Sequence, residues 1–218
     1  PPIDQDGCGR MERLAQRLVL EREIKDAISL QQFSLSLQPQ IELATGRLAG
    51  FEALIRWTHQ SRGAITPDEF IPYAEKNGLI GLIDHYVLRQ SIEQIRLWRQ
   101  NYAMPFYVSV NVSGRSFSDA DFSHKVLELL AQAGVQPFYL AIEITESALI
   151  DKMAQAKISI DCLRAAGVKV LLDDFGTGYS SLSYLHEFQL DVLKIDRSFI
   201  AGIRPRIQEN AVVNTIIA

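Results

Sequence analysis

From residue 106 onwards this chain repeats one unit: a short apolar, β-branched segment, then a longer segment with helical spacing that closes on glycine. Residues 106–112 read as a strand and 120–133 as a helix closed by Gly134; 139–145 read as a strand and 151–166 as a helix closed by Gly167. Residues 168–173 and 191–195 are two further strands, and a helical pattern begins near Glu209. Such alternation, with right-handed crossovers, builds a parallel sheet with helices outside it. Upstream, strands 33–38 and 48–57 flank a Thr45-Gly46 turn signal, which predicts an antiparallel hairpin. Pro67 opens a helix behind Thr66 as its cap, and residues 79–101 form another. Residues 10–32 carry Leu14, Leu18, Ile24 and Ile28 near helical spacing and read as a helix linking to an upstream domain.

Six strands are legible. A closed (β/α)8 barrel needs two more, and an open, doubly wound sheet is the alternative. Polar placement favours the barrel. Side chains alternate faces along a strand. Glu52, Leu54 and Arg56 therefore share one face, as do Ser109 and Asn111, then Ala141, Glu143 and Thr145, then Lys194 and Asp196. The opposite faces carry Val108, Val110, Leu140, Ile142, Ile144, Leu193 and Ile195. One polar face per strand fits a barrel interior with its mouth at the strands' carboxyl ends; an open sheet needs both faces apolar.

Each polar residue has an ordinary explanation when taken singly. Glu143 could be a structurally paired buried acid, and Asn111 could satisfy backbone. Glu52 and Arg56 could pair along one face, and Lys194 could partner any of the acids. Together they are harder to explain that way. Glu52, Glu143, Asp173 and Asp174 are four acids set against one interior Lys and one Arg, and a divalent cation would balance the charge. The Asp173-Asp174 pair can reach one site only if the strand breaks there, a break that Phe175-Gly176-Thr177-Gly178 can supply. The plainer reading of that pair is a helix cap plus a loop. Gly176 and Gly178 also hint at a dinucleotide loop, but Ser181 replaces the third glycine and two acids precede it.

His59, His85, His124 and His186 form no HxH or HExxH spacing, and Cys8 and Cys162 form no CxxC, so oxygen ligands and Mg2+ or Mn2+ fit better than zinc. Two lone thiols suit a reducing compartment. A net charge of −4 argues against DNA or RNA as a partner. No apolar run approaches a membrane span and no signal-peptide pattern opens the chain. It begins PPIDQDG rather than with Met, as a piece of a longer protein would.

At these residues the chain resembles the EAL family of cyclic-di-GMP phosphodiesterases. The resemblance runs from about Phe33 to the C-terminus. It rests on Gln38-Pro39, Glu52-Ala53-Leu54 with Arg56 and Trp57, Asn111-Val112-Ser113, Glu143-x-Thr145-Glu146, DDFGTGYSS, and Leu193-Lys194-Ile195-Asp196. It implies an α/β fold, a TIM-like (β/α)8 barrel whose first strand is antiparallel. The domain would be residues 33–218, preceded by a linker helix within 1–32 from an upstream GGDEF or sensor domain. It implies two ions, Mg2+ or Mn2+: Glu52, Asn111, Glu143 and Asp173 would hold one, and Asp173 with Asp174 the second. A metal-activated water would open one phosphodiester of c-di-GMP in line to give linear pGpG, with Lys194 positioning that water or stabilising developing charge. Gln38, Leu54, Arg56 and Asp196 would contact the dinucleotide. Glu146 would order the DDFGTGYSS loop, through which the family dimerises, and the domain would work in the cytoplasm of a bacterium.

The family's seventh strand carries an E-G-V-E motif and its eighth-strand region a substrate-contacting Gln. The chain given stops at Ala218 before both, so it is expected to lack the last two strands and part of the catalytic set. The alternatives to hydrolysis are a receptor that holds c-di-GMP without cleaving it and a regulatory dimerisation domain.

Overall fold

A computed structural model describes residues 18–19, 21–102, 106–176 and 188–201. Helix α1 occupies 21–29. The strands are β1 Phe33–Glu42, β2 Arg47–His59, β3 Gly63–Ile65, β4 Tyr107–Asn111, β5 Leu140–Thr145, β6 Lys169–Phe175 and β7 Val192–Ile195. The helices that follow α1 are α2 Pro67–Asn77, α3 Ile80–Asn101, α4 Gly114–Phe117, α5 Phe122–Ala133, α6 Glu146–Asp151, α7 Met153–Ala166 and α8 Arg197–Ala201.

The seven strands among the described residues form one sheet in the order β1-β2-β4-β5-β6-β7, with β3 pairing β2. β1 is antiparallel to β2, and β2, β4, β5, β6 and β7 are mutually parallel. The antiparallel hairpin and the parallel layer that follows it agree with the sequence reading. β3 is an addition to it, since three residues are too short to show a period. Gly134 and Gly167 close α5 and α7 in the left-handed conformation, each donating its N–H back into the last turn. Thr66 does precede α2, with Pro67 at the first turn, but its side chain makes no capping hydrogen bond. The proline's missing N–H, not the threonine hydroxyl, is what makes this a good start. The helical pattern from Glu209, the first residues of the 10–32 helix and residues 177–181 of the DDFGTGYSS loop lie outside the described residues.

The face away from the helices carries Glu52, Asn111, Glu143, Asp173 and Lys194. The face towards them is apolar: Val108, Val110, Leu140, Ile142, Ile144, Val170 and Leu172 are each at most 1 % exposed. Full burial of each such side chain is worth about 1.5–3 kcal/mol, so this layer sets the register of β4, β5 and β6 against α3, α5 and α7. The aromatic cluster of Phe33, Trp57, Phe70 and Tyr86 does the same for the hairpin and α2–α3. Leu193 and Ile195 of β7 are only half-buried.

Candidate active site

Register carries the polar residues to one level. Asn111 lies opposite Glu143 and Thr145 opposite Asp173 across the parallel ladders, all near the carboxyl ends of their strands. Lys194 donates to Glu52 Oε2 at 3.1 Å, to Asp173 Oδ2 at 3.0 Å, and to Glu143 Oε2. Asn111 Nδ2 donates to the other Glu52 oxygen, Oε1, at 2.8 Å. Five side chains from five strands thus form one network, and the ligand atoms of Glu52, Glu143 and Asp173 lie within 4.8 Å of one another.

The electrostatics are unbalanced. Among the described residues, three carboxylates against one ammonium leave a formal surplus of two negative charges. Glu143 is fully buried, and among the described residues its Oε1 has no partner at hydrogen-bond geometry; the neighbouring Ser109 hydroxyl, which also favours the ionised carboxyl, is directed at the Phe51 carbonyl at 3.4 Å. Burial pushes the Glu143 carboxyl up, against the pull of the Lys194 ammonium. Burial draws Lys194 the other way, but Glu143, Glu52 and Asp173 outweigh it and hold the ammonium above the ordinary lysine range. A buried carboxylate oxygen with no donor, inside a cluster short of two positive charges, is what a hard divalent cation with oxygen ligands would satisfy. Glu52, Asn111, Glu143 and Asp173 fit that role.

Asp174 stands apart from the three-carboxylate group. It is exposed, and its backbone is left-handed, with φ +54°. The break that re-aims this residue therefore falls on Asp174 itself, ahead of the glycine loop, and coincides with the register shift between Leu172 and Phe175. Its amide donates to Asp173 Oδ1 at 3.0 Å. Burial pushes its carboxyl up, and the charges of Asp173 and Asp196 add to the effect. Asp196 follows β7 and accepts from the Ser198 amide at 2.9 Å and from the Ser198 hydroxyl, which holds its carboxyl below the usual range.

Beside the cluster lies a cavity of about 290 Å³ whose lining includes Leu54, Arg56, Asn111 and Glu143. Arg56 is exposed, with Nη1 on the Ile55 carbonyl at 2.9 Å. Gln38 is exposed on β1 opposite Glu52, and it does not line this cavity. Glu146 opens α6, is buried, and accepts the Gly176 N–H at 3.4 Å.

The sequence reading passed over Asp84, which also lines the cavity. It sits among Ile80, Ile83, Val87 and Leu88 on the buried face of α3. Asp84 Oδ2 accepts the Ser113 hydroxyl at 2.5 Å and the Ser113 amide at 3.3 Å, two residues beyond Asn111. The signal was visible: an acid in the apolar stripe of a helix is out of place.

A sheet of parallel strands wrapped by helices, with an acid–lysine cluster at the carboxyl ends, defines an α/β barrel carrying a candidate divalent-cation centre. The EAL domain model matches residues 21–218, and the chain belongs to that family. It is 38 % identical to the cyclic di-GMP phosphodiesterase NbdA of Pseudomonas aeruginosa over 206 residues, 94 % of this chain and 26 % of NbdA. It is 36 % identical to MucR of the same organism, a bifunctional diguanylate cyclase/cyclic di-GMP phosphodiesterase, over 93 % of this chain and 30 % of MucR. The chain thus spans under a third of these relatives. Among solved structures, the c-di-GMP complex of the MucR phosphodiesterase superposes with TM-score 0.84 at 36 % identity, covering 93 % of this chain and 81 % of that one. The EAL enzyme Bd1971, in a form bound to cAMP and cyclic-di-GMP, also gives 0.84 at 30 % identity, covering 98 % and 58 %. The fold is the TIM-like barrel of these neighbours. Among the described residues no helix is long and apolar enough to cross a membrane.

Proposed function

We propose that this domain hydrolyses c-di-GMP to linear pGpG with the help of divalent cations, in bacterial second-messenger signalling. The observation that carries the reading is the convergence of Glu52, Glu143 and Asp173 on Lys194, beside a cavity lined by Leu54 and Arg56. Membership of the EAL family, with phosphodiesterases among its relatives, gives that cluster its substrate class.

Glu52, Asn111, Glu143 and Asp173 would hold one ion, and Asp173 with Asp174 would contribute to a second. Bound there, divalent cations supply neutralisation of phosphoryl oxygens and acidification of water. The chain's own groups do the rest. Glu143, at the bottom of the site, has its carboxyl pushed up by burial and drawn down by the Lys194 ammonium, and a cation bound beside it would draw it down further. Lys194 stays protonated and places a fixed positive charge beside the phosphoryl group, where it orients the attacking water or stabilises charge as one P–O bond forms and the ribosyl P–O bond breaks. Arg56 and Leu54 orient one half of the dinucleotide, with Gln38 and Asp196 on the flanks of the site. Glu146 holds the start of the loop after β6, the loop proposed to mediate homodimerisation. An upstream GGDEF or sensor domain would set when the site works, in the cytoplasm.

The test is chromatographic. The full-length protein with c-di-GMP and Mg2+ or Mn2+ should accumulate pGpG, and chelation should stop it. Tight c-di-GMP binding without product at saturating metal would replace this reading with that of a receptor.

A further inference from the structure

Lys194 reaches its three carboxylates only if β7 lies in one register against β6. Among the described residues, burial does little to enforce that register. β7 is four residues long; Val192 is exposed, and Leu193, Lys194 and Ile195 are all half-buried. A one-residue slip turns a strand's side chains to the other face, and slips are forbidden mainly where one face is buried and the other is not. That contrast is weak in β7, and its ladder with β6 already shifts register between Leu172 and Phe175.

A different device stands where the two strands begin. Asp191 Oδ2 accepts the Val170 backbone N–H at 2.8 Å, and the Asp191 backbone N–H donates to the Val170 carbonyl at 2.9 Å. Behind them, Arg164 on α7 donates from Nε to both Asp191 oxygens at 3.2 Å and from Nη2 to Oδ1 at 3.1 Å. Its Nη1 donates to Gln189 Oε1 at 2.8 Å. Asp191 is thus tied to Val170 by backbone and by side chain, and the helix holds the carboxylate that does it. Three residues further along each strand, Lys194 meets Asp173 at 3.0 Å.

We infer that Asp191 and Arg164 form a register clamp: they are positioning residues that deliver Lys194 to the acid cluster. Their relevance to turnover rests on the hydrolytic reading above. As a Coulombic pair they would contribute little, since their side chains keep 26 % and 30 % of their exposure. Their forked geometry and the backbone N–H they engage make them specific.

The test uses the full-length protein and the variants Asp191→Ala, Asp191→Asn, Arg164→Met and the inversion Arg164→Asp/Asp191→Arg. Acylation of Lys194 by an amine-reactive ester is followed by peptide mass spectrometry without divalent cation, with Lys169 of β6 as the internal control. c-di-GMP turnover is measured alongside. The clamp predicts that Asp191→Ala raises Lys194 labelling about tenfold or more, equivalent to a loss of about 1.4 kcal/mol of register preference, while Lys169 labelling holds. Asp191→Asn keeps an acceptor for the Val170 N–H and should fall between wild type and Asp191→Ala. The inversion should not rescue, because arginine at 191 has no acceptor. Rescue by the inversion would reduce the pair to a plain salt bridge. Unchanged Lys194 labelling in Asp191→Ala, or in Arg164→Met and Asp191→Asn should the alanine variant not fold, would overturn the clamp. Absent turnover in the wild type defeats the hydrolytic reading alone, since labelling still decides the clamp.

Discussion

Replacing Lys194 by methionine removes the one ammonium from three carboxylates and keeps the length of its stem. In the wild type, Nζ serves Glu52, Glu143 and Asp173 at once, and Glu143 is fully buried. Removing one partner of a buried pair costs about 3–5 kcal/mol. The low end applies here, about 3 kcal/mol, because Glu52, Asp173 and Lys194 keep 16 %, 20 % and 24 % exposure. For a domain of this size each kcal/mol moves the midpoint by about 2–4 °C, so the variant should melt about 6–12 °C lower at pH 8 in chelator. The pH dependence distinguishes this cause from lost packing. The folded Glu143 carboxyl titrates above its unfolded value, so the folded state holds more protons and stability falls as pH rises through that window. Lys194 restrains that rise, and without it the window widens upwards. The ammonium's own contribution is intact throughout, because its folded pKa lies above the unfolded lysine value. The difference between variant and wild type should therefore shrink as pH falls towards about 4, where unfolded glutamate protonates, and divalent cation should restore part of the loss at pH 8. Calorimetry at several pH values measures it. A midpoint unchanged at pH 8, or a loss of equal size at pH 4, would refute the reasoning.

Asp173→Asn should lower c-di-GMP turnover by about a hundredfold or more, as loss of an electrostatic transition-state contact does, while circular dichroism shows the fold intact. Glu143→Gln removes the buried charge and should abolish Mn2+ binding in calorimetric titration while raising the melting temperature in chelator. Glu146→Ala frees the Gly176 amide and should lower turnover with little change in Mn2+ affinity. Asp84, 6 % exposed, has its carboxyl pushed up by burial despite its bonds to Ser113. Stability should fall as pH rises from its unfolded value through the folded one, and Asp84→Asn should flatten that segment of the wild-type stability profile.

Much of this was legible in the residues because the local signals agreed. Strand–helix alternation, glycine closures and one polar face per strand all point to a parallel barrel layer. The convergence of Glu52, Asn111, Glu143 and Lys194 followed from alternation alone, since a period of two leaves no choice of face once one face is known. Asp174 was harder. Its direction depends on a left-handed backbone at a non-glycine residue, which favours no local signal except the tolerance of aspartate for that conformation. β3 and α4 were too short to carry a period. Asp84 and the Arg164–Asp191 pair went unread because their partners, Ser113 and the Val170 N–H, are distant in sequence, and a backbone N–H has no signature there.

The most direct test of the account is diffraction from a Mn2+-soaked crystal at a wavelength where manganese scatters anomalously. A peak is expected between Glu52, Asn111, Glu143 and Asp173, within ligand distance of Glu143 Oε1. Peaks confined to surface carboxylates, with Lys194 still bridging the three acids at saturating Mn2+, would contradict it.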